Sequence, residues 1–213
     1  MILSPGRRYI FIHIPKTGGT SVATALESRA MADDILIGDT AKAQRRKSRL
    51  KGLKARGRLW KHSTLSDIDG LPGTHDLNGM FLFTIVRNPW DRMVSYYVWA
   101  RQQSFAHPAV DAAKDMDFAS FLRTPSVAEP LRRSTVRTYL TDANGAVPPA
   151  LFARLEHLQT DLEPLWDHLN FRLDIPHLNR SDRTHYRDYY DQVTQDYVAE
   201  LLAEDIERFG YRF

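Results

Sequence analysis

Two stretches of this chain are almost continuously apolar, and they organise the rest of the pattern. Tyr9-Ile10-Phe11-Ile12-His13-Ile14 and Met80-Phe81-Leu82-Phe83-Thr84-Ile85-Val86 are short and rich in β-branched and aromatic residues. That pattern predicts strands buried on both faces, as in a parallel sheet. A loop containing Gly18 and Gly19 follows the first, then a helix from about Thr20 with Val22, Ala25 and Leu26 on one face. After the second comes Asn88-Pro89-Trp90-Asp91. Asn88 suits an N-cap, Pro89 suits the first helical position, and Asp91 suits the positive end of the helix dipole. Trp90, Met93, Val94 and Tyr97 continue at helical spacing.

The later pattern is fainter. Phe152 to His157 predicts a third strand, and Leu158, Leu162, Leu165, Trp166 and Leu169 predict a helix after it. Val193, Tyr197, Leu201, Leu202, Ile206 and Phe209 predict one last amphipathic helix, closed by Gly210. Strands alternating with helices indicate an α/β fold with a mainly parallel sheet. A length of 213 residues, with no internal repeat and no Gly/Ser linker, fits a single domain over 1–213.

Composition narrows the chemistry. At 43% hydrophobic and 26% charged, the chain can bury a sizeable core. It has no cysteine, which excludes disulfides, zinc–thiolate sites and a thiol nucleophile. Residues 1–8 lack the apolar core of a signal peptide, and Met80–Val86 is far too short to cross a bilayer, so a soluble cytoplasmic protein is expected. The net charge of +3 hides an asymmetry. Lys42 to Lys61 holds ten of the 29 Lys and Arg residues and none of the 26 acidic ones. That segment is either an element that meets an anionic partner or a solvated insert.

The turn after the first strand carries the sharper signal. Lys16-Thr17-Gly18-Gly19-Thr20-Ser21 lies between a strand and a helix. Adjacent glycines let backbone N–H groups approach an anion, and the helix behind offers its own N–H donors and a positive dipole end. Lys16 adds charge, and Thr20 and Ser21 add hydroxyls. A Walker A loop places its lysine after the last glycine, whereas here the lysine comes first. The second constellation is Arg87-Asn88-Pro89-Trp90-Asp91-Arg92-Met93-Val94-Ser95. Arg87 ends a parallel strand, where open α/β sheets bind ligands, and Ser95 lies about two turns into the next helix. An arginine fork and a hydroxyl suit a terminal phosphate; a salt bridge from Arg87 to a helix carboxylate is the plainer alternative.

Together the two stretches resemble the nucleotide motifs of sulfotransferases that use PAPS (3′-phosphoadenosine 5′-phosphosulfate), in the branch with carbohydrate 2-O-type and small bacterial members. Leu178 to Tyr190 and Asp205 to Tyr211 extend the resemblance to the C-terminus. It implies a P-loop-like fold, a central parallel sheet flanked by helices. It implies that Lys16, Thr17, Gly18, Gly19, Thr20 and Ser21 hold the 5′-phosphosulfate and that Arg87 and Ser95 hold the 3′-phosphate. Arg183 and Tyr186 would close over the donor, and Arg180 and Arg187 would be surface charges or acceptor contacts. The implied reaction is in-line attack of an acceptor hydroxyl on sulfur, with a glycan the expected acceptor and no metal required.

Lys16 would stabilise charge on the leaving phosphate. The general base is open among His62, His13 and His75, with Glu156 or Asp67 as carboxylate alternatives. Lys61-His62-Ser63-Thr64 resembles a short His-containing segment that this branch places between its nucleotide motifs, which favours His62. His13, in a buried strand, reads as a core residue. Two other functions compete: a Mg²⁺-dependent phosphotransferase on a similar fold, and a non-catalytic module that binds an anionic glycan or nucleic acid through the basic segment. Nucleic acid is the weaker of these, because Trp60 is the segment's one aromatic residue.

Overall fold

The structure, a computed structural model, describes residues 1–176, 178 and 183–213. Its strands are β1 (Ile2–Ser4), β2 (Tyr9–Ile12), β3 (Ile35–Leu36), β4 (Phe81–Val86) and β5 (Leu151–Arg154). Its helices begin with α1 (Gly19–Ser28), α2 (Ala41–Arg45), α3 (Pro89–Arg101) and α4 (Pro108–Asp115). They continue with α5 (Phe118–Arg123), α6 (Pro125–Arg133), α7 (Val136–Leu140), α8 (Leu158–Asp161), α9 (Glu163–Leu169), α10 (Gln192–Leu201) and α11 (Ala203–Phe209). The chain divides into two compact units, Met1–Val86 with Arg137–Asn179 and Arg87–Val136 with Arg180–Phe213.

The first unit holds the sheet, in the order β3-β1-β2-β4-β5. β2, β4 and β5 pair in parallel, with Ile12 opposite Thr84 and Thr84 opposite Phe152, so their C-terminal ends emerge at one edge. β1 runs against both β2 and β3. The sheet is therefore mixed but mostly parallel, as the two continuous apolar runs predict. Alternate residues Tyr9, Phe11, Phe83, Ile85 and Ala153 share one face and pack with Val22 and Leu26 of α1 and with Leu165, Trp166 and Leu169 of α9. Phe11 and Phe83 stack at 4.9 Å. Burying one such side chain contributes about 2–3 kcal/mol. The stripe from Leu158 to Leu169 forms two helices rather than one. The chain leaves the helical path at Leu162, just before Pro164, and a proline has no N–H to donate into a continuing helix.

The second unit is helical. Trp90, Met93, Val94 and Tyr97 of α3 form one core with alanines of α4, with Phe118 and Phe121 of α5 and with Val198 and Leu201 of α10. α3 starts where its sequence signals say: the Asn88 carboxamide oxygen accepts from the N–H groups of Trp90 and Asp91 at 3.0 and 3.3 Å. The C-terminal pattern needs correction. It forms α10 and α11, broken at Leu202 (φ −119°, ψ 27°), and Val193 is 64% exposed rather than part of the buried stripe. Asp191 caps α10 by accepting from the Thr194 N–H at 2.7 Å, which places Val193 on the first, outward turn. Gly210 does close α11, in the left-handed conformation. Among the described residues, no helix is long and apolar enough to cross a membrane.

Candidate functional site

The turn between β2 and α1 has an unusual backbone. Lys16 sits at φ +65° and Gly18 at φ +83°. A non-glycine residue in the left-handed region is strained by about 1 kcal/mol or more, and such strain collects at ligand sites. Left-handed residues on either side of Thr17 belong to the class of turn that lines successive N–H groups along a concavity for an anion. Thr17 is buried, and its hydroxyl donates to the Ile14 carbonyl at 2.9 Å, which pins the turn to the strand end. Gly18 occupies the N-cap of α1 without a side-chain cap, and the first turn carries no acidic residue. The positive end of this helix thus lacks the side-chain anion or cap that α3 has in Asn88 and Asp91. The Ser21 hydroxyl accepts from the Leu178 N–H at 3.1 Å.

Gly19 is dictated by contact. A Cβ there would lie 2.3 Å from Cδ2 and 2.7 Å from Nε2 of His13. His13 is the buried wall of the turn, stacked on Phe11 at 5.8 Å. Burial, first of all, holds its imidazole well below 6.5, so it stays neutral.

His62 packs against His13, the wall of this turn. Its ring meets that of His13 edge-on at 4.7 Å, and its Nδ1 lies 2.7 Å from the His13 carbonyl. A carbonyl only accepts, so Nδ1 carries the proton and Nε2 keeps its lone pair when the ring is neutral. Burial lowers the His62 pKa from 6.5 to about 4, against the raising effect of that hydrogen bond. His62 is therefore a neutral, oriented imidazole at pH 7. Trp60, 41% exposed, stands edge-on to it at 5.1 Å. The other base candidates differ. His75 and Glu156 are exposed, and Asp67 accepts from the Thr64 N–H at 2.8 Å as part of a local turn.

Within the second unit, Arg87, Asp91 and Arg183 form one cluster. Arg87 donates from Nε to Oδ2 of Asp91 at 2.8 Å and pairs through Nη2 at 2.7 Å. Arg183 donates to the other oxygen, Oδ1. The salt bridge anticipated for Arg87 is present, and it draws in a second arginine from far along the chain. Ser95 is buried on α3. Tyr186 lies in a 3₁₀ turn, edge-on to Phe213 at 5.6 Å. Arg187 donates to the Phe213 carbonyl at 2.7 Å. Arg180 lies outside the described residues. Arg92, next to the motif's acid, is buried and pairs with the buried Asp205 at 3.9 Å. Two features had little sequence signal: the His13 wall, because nothing local marks a ring pressed on a glycine, and the Arg183 arm, which meets Asp91 across 92 positions.

The basic segment is ordered by its own cations. Lys42 donates to the Glu27 carbonyl, Arg46 to Met31 at 2.7 Å, Arg49 to Ala32 at 2.8 Å and Arg56 to Ala143 at 2.8 Å. Lys61 pairs with Asp39. Among the described residues, no group of three or more His, Cys, Asp or Glu side chains is placed to hold a metal ion.

These features define an α/β protein with an anion-type turn between a parallel strand and an uncapped helix. The family model described as "Sulfotransferase family" matches residues 1–212, and the chain belongs to that family. The family's chemistry is transfer of a sulfuryl group. No curated protein and no solved structure matches the chain.

Proposed function

We propose that this protein transfers the sulfuryl group of PAPS to a hydroxyl of a carbohydrate or glycoconjugate, as a single cytoplasmic sulfotransferase domain over 1–213. The observation that carries the reading is the turn at 16–19: left-handed at Lys16 and Gly18, closed to any Cβ at Gly19, and leading into a helix with no cap and no acid in its first turn. That is a place for an anion, in a chain of the sulfotransferase family.

In this reading Lys16 and the backbone from Thr17 to Ser21 hold the 5′-phosphosulfate. Arg87 and Ser95 hold the 3′-phosphate, with Arg183 and Tyr186 closing over the donor. The acceptor oxygen attacks sulfur, the bond from sulfur to the bridging phosphate oxygen breaks, and 3′,5′-ADP leaves with the electron pair. Lys16 and the turn N–H groups stabilise the charge that builds on that phosphate. His62 Nε2 takes the acceptor proton, which its tautomer and neutrality permit. The step needs no metal. The exposed cations among residues 42–61 would draw in an anionic acceptor.

The test is transfer of labelled sulfuryl from PAPS across a panel of neutral and sulfated glycans. Transfer that is lost in Lys16→Ala supports the reading. Transfer that persists in that variant, or none to any hydroxyl acceptor, opposes it.

A further inference from the structure

We infer that Asp91 is a positioning residue that builds a two-arginine phosphate site. Its Oδ2 holds Arg87 and its Oδ1 holds Arg183. The inference rests on the proposed reading of Arg87 as the 3′-phosphate ligand and says what gives that ligand its selectivity.

Two guanidinium groups repel one another. Here both are drawn to one carboxylate, with side chains only 13% and 12% exposed, and the carboxylate is itself 20% exposed. Formal charge across the three groups sums to a net cation, so the cluster still attracts an anion. Two of the five N–H groups of Arg87, on Nε and Nη2, go to Asp91, which fixes the guanidinium plane. A planar fork held in this way suits bidentate recognition of a phosphate. Arg183 comes from 92 positions later and is fastened to the first turn of α3 by the same acid. Asp91 thus does more than complement the helix dipole. It sets the spacing and orientation of two cations on which discrimination for a 3′-phosphate depends. The cap of α3 comes from Asn88, so losing the charge at 91 leaves the helix start in place.

The experiment is calorimetry of the full chain with 3′,5′-ADP and with 5′-AMP, in the wild type, Asp91→Asn and Asp91→Glu, with melting temperatures alongside. Asp91→Asn is expected to weaken 3′,5′-ADP roughly 10-fold or more, the size of a charge-assisted hydrogen bond that has lost its geometry. It should leave 5′-AMP within about twofold and raise the donor KM far more than it lowers kcat. Asp91→Glu, which keeps the charge, should recover part of the 3′,5′-ADP preference. An equal loss for both nucleotides, or no loss for either, overturns the inference. A wild type that does not prefer 3′,5′-ADP over 5′-AMP refutes the donor reading itself and takes this inference with it. That outcome is distinct from a wild type that discriminates and an Asp91→Asn variant that discriminates equally well.

Discussion

Gly19→Ala tests the turn where its geometry is tightest. The new methyl carbon would sit 2.3 Å from His13 Cδ2 and 3.0 Å from its Cγ. That is roughly 1.2 Å inside ordinary carbon–carbon contact. The ring has little room to retreat, because it is buried, stacked on Phe11 at 5.8 Å and met edge-on by His62 at 4.7 Å. Overpacking of this kind costs about 1–3 kcal/mol, or a fall in Tm of roughly 3–10 °C for a chain this long. If the turn moves instead of the ring, its N–H groups are misplaced by about 1 Å, and kcat/KM should fall roughly 10- to 100-fold. Gly38→Ala is the control: a Cβ there meets nothing nearer than the Lys61 Cβ at 4.0 Å, so both Tm and rate should hold. Thermal melts and labelled-donor kinetics read the two effects. Removing the ring should relieve the clash, so Gly19→Ala/His13→Ala should lose less than the sum of the single variants. Wild-type Tm and wild-type donor KM in Gly19→Ala would refute the claim that the ring holds the turn.

Other outcomes follow from the same geometry. Lys16→Ala and Arg87→Ala should each abolish transfer while leaving the melting temperature within a few degrees, as activity assays and thermal melts will show. His62→Ala should lower turnover with 3′,5′-ADP affinity preserved; unchanged turnover would move the base elsewhere. With the His62 pKa at about 4, the acid limb of kcat/KM should lie near pH 4 rather than 6.5, and the limb of kcat should lie higher because the bound donor's anions favour the charged ring. The unfolded chain binds a proton at this position below about 6.5, and the folded chain only near 4. Stability should therefore fall as pH drops through that window, by up to about 3 kcal/mol from His62; the buried His13, also held below its ordinary pKa, adds to the fall, so His62→Gln should make that part of the urea-unfolding profile less steep without abolishing its slope. Arg92→Ala removes the paired cation from the buried Asp205 carboxylate, which keeps its hydrogen bond from the Val136 N–H at 3.0 Å, and should cost about 1–3 kcal/mol in chemical denaturation.

The parts legible in the sequence were those written locally. β2 and β4 are apolar at nearly every position, which only a strand covered on both faces requires, and the structure pairs them in parallel. The start of α3 was written in Asn88 and Pro89. β1 and β3, at three and two residues, are too short to show a period, and their pairing is set by the chain around them. The run of α4 to α6 drew no prediction, because helices of six to nine residues present barely two turns of pattern. At the C-terminus the apolar spacing runs on unbroken across Leu202, and only tertiary packing reveals the break. In the candidate site, the glycines and lysine of the turn were visible as residue types. The reasons for them were not, since the His13 ring against Gly19 and the Arg183 arm on Asp91 are contacts that no spacing rule encodes.

The most direct measurement is a calorimetric titration of the wild type and Arg87→Ala with 3′,5′-ADP, 5′-AMP and ATP–Mg²⁺. 3′,5′-ADP should bind tightest to the wild type, and Arg87→Ala should bring it down to the level of 5′-AMP. Tighter binding of ATP–Mg²⁺, or a 3′,5′-ADP preference that survives without the arginine, would refute the donor assignment.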